Sequence, residues 1–231
     1  QEAPKIPAGS SELRPHRAAV GLYDLKDGQL LRRKSVELDI TGDLTQVKEL
    51  SGEKLADLIL INDHDLTYAK IRFDARSIAT LKAHLGKLDD GLSRALCWSA
   101  AWDMFRDAEL SATDFVEIAL TGLAGEDDIT TVTALMSQLN TAVEIYAADK
   151  NRDSLREKVA GALLSLLKSA KAGSDHQLQF ARSFAALAHS KEQGAEIRNI
   201  LDGKFQDLKI DADLRWHLIL CLVERGLSTR A

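Results

Sequence analysis

The chain has 231 residues, 45% of them apolar, and its 30 basic and 35 acidic side chains give a net charge of −5 spread evenly along the sequence. That is enough apolar material for one or two packed domains, and the charge lacks the basic footprint of a nucleic-acid binder. No apolar run approaches the roughly 18–20 residues that a membrane-spanning helix needs, and no charged-then-apolar signal segment opens the sequence. Neither a nucleic-acid nor a membrane partner is expected.

Residues 1–12, QEAPKIPAGSSE, carry two of the three prolines and read as a connection, with Gln1 as a cut in a longer protein. Strand patterns follow. Ala18, Val20 and Leu22 alternate with Ala19, Gly21 and Tyr23, and Val36, Leu38 and Ile40 alternate with Glu37 and Asp39, which is period two with one buried face. Asp27-Gly28 supplies a tight hairpin turn, and Thr41-Gly42-Asp43 turns the chain again. The cations Arg32, Arg33 and Lys34 fit a solvated or edge face. Leu58 to Ile61 is continuously apolar, as in a strand covered on both faces, and Ala69, Ile71 and Phe73 alternate once more. Four or five such strands leave edges open, so residues 1–74 read as the later part of a β-sandwich.

From Ala75 the period changes to that of a helix, with no linker at the switch. Val132, Leu135, Met136, Leu139 and Val143 share one face, as do Leu155, Val159, Leu163, Leu166 and Leu167, and as do Leu214, Leu218, Cys221 and Leu222. Ser111 with Asp114, and Ser174 with Gln177, mark helix starts; Gly125, Gly173 and Gly226 mark stops. About eight helices with short connections are expected over residues 75–231. Antiparallel neighbours without strands suggest a stacked array resembling HEAT or armadillo repeats, a compact bundle being the alternative. The fold class is thus α+β by segment.

Residues for chemistry are sparse. His-Glu-x-x-His, which places two imidazoles on one helix face, is absent, and His64-Asp65-Leu66-Thr67-Tyr68 lacks the second histidine. His16, His84, His176, His189 and His217 are scattered without ligand spacing. There is no Gly-x-Ser-x-Gly elbow, and Gly122-Leu-Ala-Gly125 is a helix stop, not a phosphate loop. Asp89-Asp90 and Asp127-Asp128 stand where helix starts favour acids. Trp98 and Trp102, four apart beside Leu96 and Phe105, read as a core stripe. Cys97 and Cys221, each among apolar residues, read as buried free thiols, which sets a reducing, cytoplasmic location as the expectation. No catalytic, metal-binding or substrate-binding residue is assigned.

Three stretches carry a family resemblance: LRPHR (13–17) with GLYD (21–24), NDHDLTYAKIRFD (62–74), and RALCWSAAWD (94–103), the likeness ending near DADLRW (211–216). Together they resemble the C-terminal part of bacterial aminopeptidase N, a family of zinc gluzincin aminopeptidases, with the actinobacterial branch the most similar. The resemblance implies a small sandwich at 1–74 and a helical domain at 75–231 that stops short of the family's full length. The family's zinc ligands, general base and amino-terminus clamp have no matching positions here. It therefore implies a non-catalytic part of a zinc-dependent enzyme, which would cap the catalytic domain of the same chain and control access of peptide substrates. A free-standing helical-repeat module that binds another protein is the competing expectation.

Overall fold

A computed structural model describes residues 1–2 and 12–228, so most of the opening connection lies outside the described residues. The chain divides into two compact units, Gln1–Leu110 and Ser111–Ala231.

The first unit is built on an antiparallel three-stranded sheet of order β2-β1-β3, from β1 (His16–Lys26), β2 (Gln29–Ile40) and β3 (Leu58–Ile61). Asp27 and Gly28 both take left-handed backbone, φ 51 and 79, which closes the β1–β2 hairpin as the sequence predicts. The register runs from Lys26↔Gln29 to His16↔Ile40 with a bulge after Leu22. Being central, β1 is covered on both faces, and every residue from Ala18 to Tyr23 is buried. This corrects the single buried face expected from its alternation: small residues at Ala19 and Gly21 let the second face be covered as well. In β3 only Leu58 and Leu60 are buried. Ile59 and Ile61 stay partly exposed, so the two-sided burial expected there is also corrected.

Ala69 to Phe73 forms no strand. Instead of a ladder, the Phe73 N–H meets Met104 Sδ at 3.3 Å, while Lys70 and Arg72 both pair with Asp107. Side-chain anchoring has replaced strand pairing, and the described strands form one sheet with no second layer. The helices α1 (Ala75–His84) and α2 (Gly91–Arg106) belong to this unit. Asp74 caps α1 by accepting the N–H groups of Arg76 and Ser77, and Ser77 Oγ accepts the N–H of Ile59. In α2, Cys97, Trp98, Ala101, Met104 and Phe105 are buried, which suits a helix enclosed on most of its circumference.

The second unit is helical: α3 (Ala112–Leu123), α4 (Ile129–Thr141), a π-helical turn at Ala142–Tyr146, α5 (Asp149–Ser169), α6 (Asp175–Leu187), α7 (Lys191–Leu201) and α8 (Ala212–Glu224). The described helices thus number eight, of 10 to 21 residues, matching the expectation. Ser111 and Ser174 cap α3 and α6 as read, Asp128 caps α4, and Ser190 with Gln193 forms a full capping box on α7. The predicted faces are the buried ones, except that Leu166 is only partly covered. Helices two apart in sequence are neighbours: α4 with α6, α6 with α8, and α3 with α5.

Candidate functional site

The most constrained chemistry in the first unit surrounds Asp63, whose side chain has no exposure to solvent. The strand β3 ends at Ile61, and the Asp63 N–H bonds to the Ala19 carbonyl at 3.0 Å, which turns the carboxylate inward across the face of β1. The Tyr23 hydroxyl donates to Asp63 Oδ1 at 2.6 Å and lies 2.8 Å from Ser93 Oγ on α2. Ser93 Oγ donates to Asp90 Oδ2 at 2.5 Å, and Arg32 of β2 donates to Asp63 Oδ2 at 3.0 Å. A buried carboxylate costs several kcal/mol unless paired; here a guanidinium and a phenol supply the partners, with Ser93 Oγ 3.3 Å from Oδ1. Burial, and after it the bond to Asp63, pushes the Tyr23 phenol above its ordinary value, so it stays a donor. The Ser93 bond holds Asp90 below the usual carboxylate range. Gly21 leaves no room for more: a Cβ there would lie 2.5 Å from Asp63 Oδ2.

This network joins sheet to helix and exposes no reactive group. Arg32 lies exposed on the edge strand β2, in keeping with the solvated or edge face read from sequence, and also reaches a wholly buried acid; its neighbours Arg33 and Lys34 pair with Glu53. A polar Asn-Asp directly after a buried apolar run was the available signal. What it pairs with depends on strand order.

His64 follows in a left-handed turn, φ 93, with its Nε2 3.4 Å from Arg32 Nη1 and 3.3 Å from Ser35 Oγ. The other histidines are apart from it: His16 Nδ1 meets Thr67 Oγ1 at 2.7 Å, His176 packs edge-on to Phe180, His189 lies 3.7 Å from Glu157, and His217 Nε2 faces the Arg182 carbonyl at 3.0 Å. Among the described residues, no three His, Cys, Asp or Glu side chains converge as a metal site would require. Cys97 and Cys221 are buried free thiols, each pushed above its ordinary value by burial. Trp98 is core, while Trp102 stacks near Phe105 with the Arg106 guanidinium 5.6 Å from its ring centre.

In the second unit, Glu144 of the π-helical turn is gripped by two arginines. Arg156 donates to both carboxylate oxygens, at 2.9 and 2.5 Å, and Arg225 donates to Oε1 at 2.9 Å and to the Ala186 carbonyl. The Arg156 bonds, aided by Arg225, hold the Glu144 carboxyl below its ordinary value. A shallow groove of about 260 Å³ is lined by Thr133, Ser137 and Asn140 of α4, Gln179 and Ser183 of α6, and His217 of α8. On α8, Trp216, Leu220 and Val223 are 64%, 53% and 57% exposed. They recur at the i, i+4, i+7 spacing of one helix face. No described helix is long and apolar enough to cross a membrane.

The class these units define is a three-stranded antiparallel sheet with two helices, followed in sequence by a unit of six helices. Residues 58–231 match the family model described as the ERAP1-like C-terminal domain, and the chain belongs to that family. It is also 45% identical, over 98% of its length, to aminopeptidase N of Streptomyces lividans. The chain spans 27% of the length of that relative. The resemblance read from residues 13–17, 62–74 and 94–103 is thereby met across nearly the whole chain, and the chain corresponds to the C-terminal region of an aminopeptidase N.

Proposed function

We propose that this chain is the non-catalytic C-terminal portion of a zinc-dependent aminopeptidase that removes N-terminal amino acids from peptides. The observation that carries the reading is the match at 45% identity to an aminopeptidase N of which the chain spans 27%. On this reading residues 1–74 are the end of a small β-sandwich and residues 75–231 belong to a helical domain. The helices α3 to α8 stack as a HEAT-like superhelix, an arrangement supported by the α4–α6–α8 and α3–α5 neighbours. The described residues do not fit a zinc ion, since no three ligand-type side chains converge, and on this reading the metal belongs to the portion outside this chain.

What this chain contributes is shape. A domain without reactive groups affects turnover by closing over the site, excluding bulk water and folded proteins, and admitting short peptides. The partners are the catalytic domain of the same polypeptide and the peptide substrate, in a cytoplasmic setting.

The test is direct. The sequence preceding residue 1 in the longer protein should carry His-Glu-x-x-His, and that protein should release N-terminal amino acids in a chelator-sensitive way. The 231-residue chain should hold no stoichiometric zinc and leave aminoacyl amides intact; zinc-dependent hydrolysis by it alone would refute the proposal. The other reading, a free-standing helical-repeat binding module, is favoured by the exposed stripe Trp216, Leu220 and Val223. It would gain if no such motif precedes the chain.

A further inference from the structure

The loop between β3 and α1 gathers three of the six non-glycine residues with left-handed backbone among the described residues, and it carries a fully exposed aromatic side chain. Asn62, His64 and Asp65 all have left-handed backbone, with φ of 63, 93 and 55. Each such placement of a non-glycine residue costs on the order of 1 kcal/mol and persists only where the surroundings impose it.

The surroundings do impose it. Asn62, 2% exposed, closes a ring over the loop: its Oδ1 accepts the Thr67 N–H at 3.0 Å, and its Nδ2 donates to the Thr67 carbonyl at 2.7 Å and to Asp65 Oδ1 at 3.3 Å. The Thr67 hydroxyl meets His16 Nδ1 at 2.7 Å. On the far side, Lys70 Nζ reaches Asp107 at 2.8 Å, and Arg72 binds Asp107 and, at 2.5 Å, Glu109. The Phe73 N–H is held by Met104.

Between these two anchorages stands Tyr68, at 102% relative exposure, with Leu66 at 42% beside it. A loop fastened at both ends has already lost the backbone freedom that binding would otherwise remove. A large, stiff, amphipathic ring presented from such a base is the kind of group that anchors an interface. Among the described residues the ring is fully exposed, so its own packing does not account for the fixing of the loop.

We infer that the Leu66–Lys70 segment, with Tyr68 at its tip, is the surface by which this chain seats against the rest of the same longer polypeptide. The inference rests on the functional reading above, because that reading supplies the occupant. The larger part of the length of the Streptomyces lividans relative lies outside the span this chain covers. The same segment falls within the matched family region, which begins at residue 58. The receiving surface should offer an apolar slot for the ring with a polar group at its end for the phenol. By contrast, the α8 stripe has comparable apolar exposure, but nothing in its geometry identifies what would cover it.

The test is Tyr68→p-benzoylphenylalanine in the longer protein, irradiated at low concentration and mapped by mass spectrometry. The expected product is a single intramolecular link from position 68 to a peptide outside residues 1–231, with a yield at least tenfold above the same probe placed at exposed Gln29. Links confined to residues 1–231, links between two molecules, or a yield no higher than at Gln29 would each overturn the inference. The link is read without reference to activity, so the two ideas fail separately. An intramolecular link in a protein with no chelator-sensitive aminopeptidase activity would sink the function and leave the surface standing. Activity without the link would do the reverse.

Discussion

The two compact units hold themselves together by different means. In residues 1–110 an apolar core that includes Leu22, Leu58, Leu60, Trp98 and Phe105 is crossed by a buried polar network: one carboxylate, Asp63, is reached from β1, β2 and α2, and Gly21 is pressed against it. In residues 111–231 the core is apolar and spread over the buried faces of six helices, with its closest polar cluster at the partly buried Glu144 clasp. A few irreplaceable bonds make a unit brittle to single changes, whereas distributed burial makes it respond in small steps.

The sharpest way to break this contrast is Asp63→Ala. It leaves the Arg32 guanidinium and the Tyr23 hydroxyl without their buried partner, and the first unit should lose about 3–5 kcal/mol. Urea unfolding followed by fluorescence of Trp98 and Trp102 checks it; a loss below 1 kcal/mol would show that the network is dispensable. Gly21→Ala should cost about 2–3 kcal/mol by the same assay, since the new methyl would lie 2.5 Å from Asp63 Oδ2 and 2.8 Å from the Tyr23 ring.

In the second unit the largest polar effect should come from Glu144→Gln, at about 1–2 kcal/mol, because Arg156 keeps its bond to Asp153 and Arg225 its bond to the Ala186 carbonyl. This change also alters the pH response. With its carboxyl held below the ordinary value by Arg156, Glu144 binds a proton less readily in the folded than in the unfolded chain. Its stabilisation is therefore full above about pH 4.3, drains as the pH falls through the lower folded value, and is absent in the variant. Unfolding midpoints of the two proteins should converge in acid; parallel curves would rule out this role.

Smaller again is Ser190→Ala, which removes the hydroxyl of the α7 capping box and should cost about 1 kcal/mol. Smallest is Gly161→Ala within α5, where a Cβ meets nothing within 4 Å. It should stabilise by about 0.5–1 kcal/mol. Alanine at two glycines, destabilising in one unit and stabilising in the other, is the most compact statement of the difference.

Legibility follows the same division. The helical faces were readable because a helix buries residues that are near neighbours in sequence, so Val132 to Val143 announces itself by spacing alone. The hairpin at Asp27-Gly28 was readable for the same local reason. Ala69 to Phe73 was misread because alternation signals an extended backbone and says nothing about whether a partner strand is available. Arg32 lies exposed on the edge strand β2 as read, but its pairing with a buried acid could not be seen in one dimension. The loop at Asn62–Thr67 announced itself only through its resemblance to a family motif. Its strain and the exposure of Tyr68 were invisible in the residues themselves.

By itself, then, the sequence determined what local periodicity and turn chemistry can encode: the switch from strand to helix at Ala75, the hairpin, the helix caps, the apolar stripes and the family. Tertiary structure alone decided which polar groups meet in the interior, that β1 is covered twice, and that Tyr68 is left standing in solvent. The physical reason is range. Backbone hydrogen bonds and amphipathic faces are set within a few residues, while the partners of Asp63 come from positions 23 and 32, with Ser93 of α2 alongside, and are brought together only when the sheet and the helix close over them.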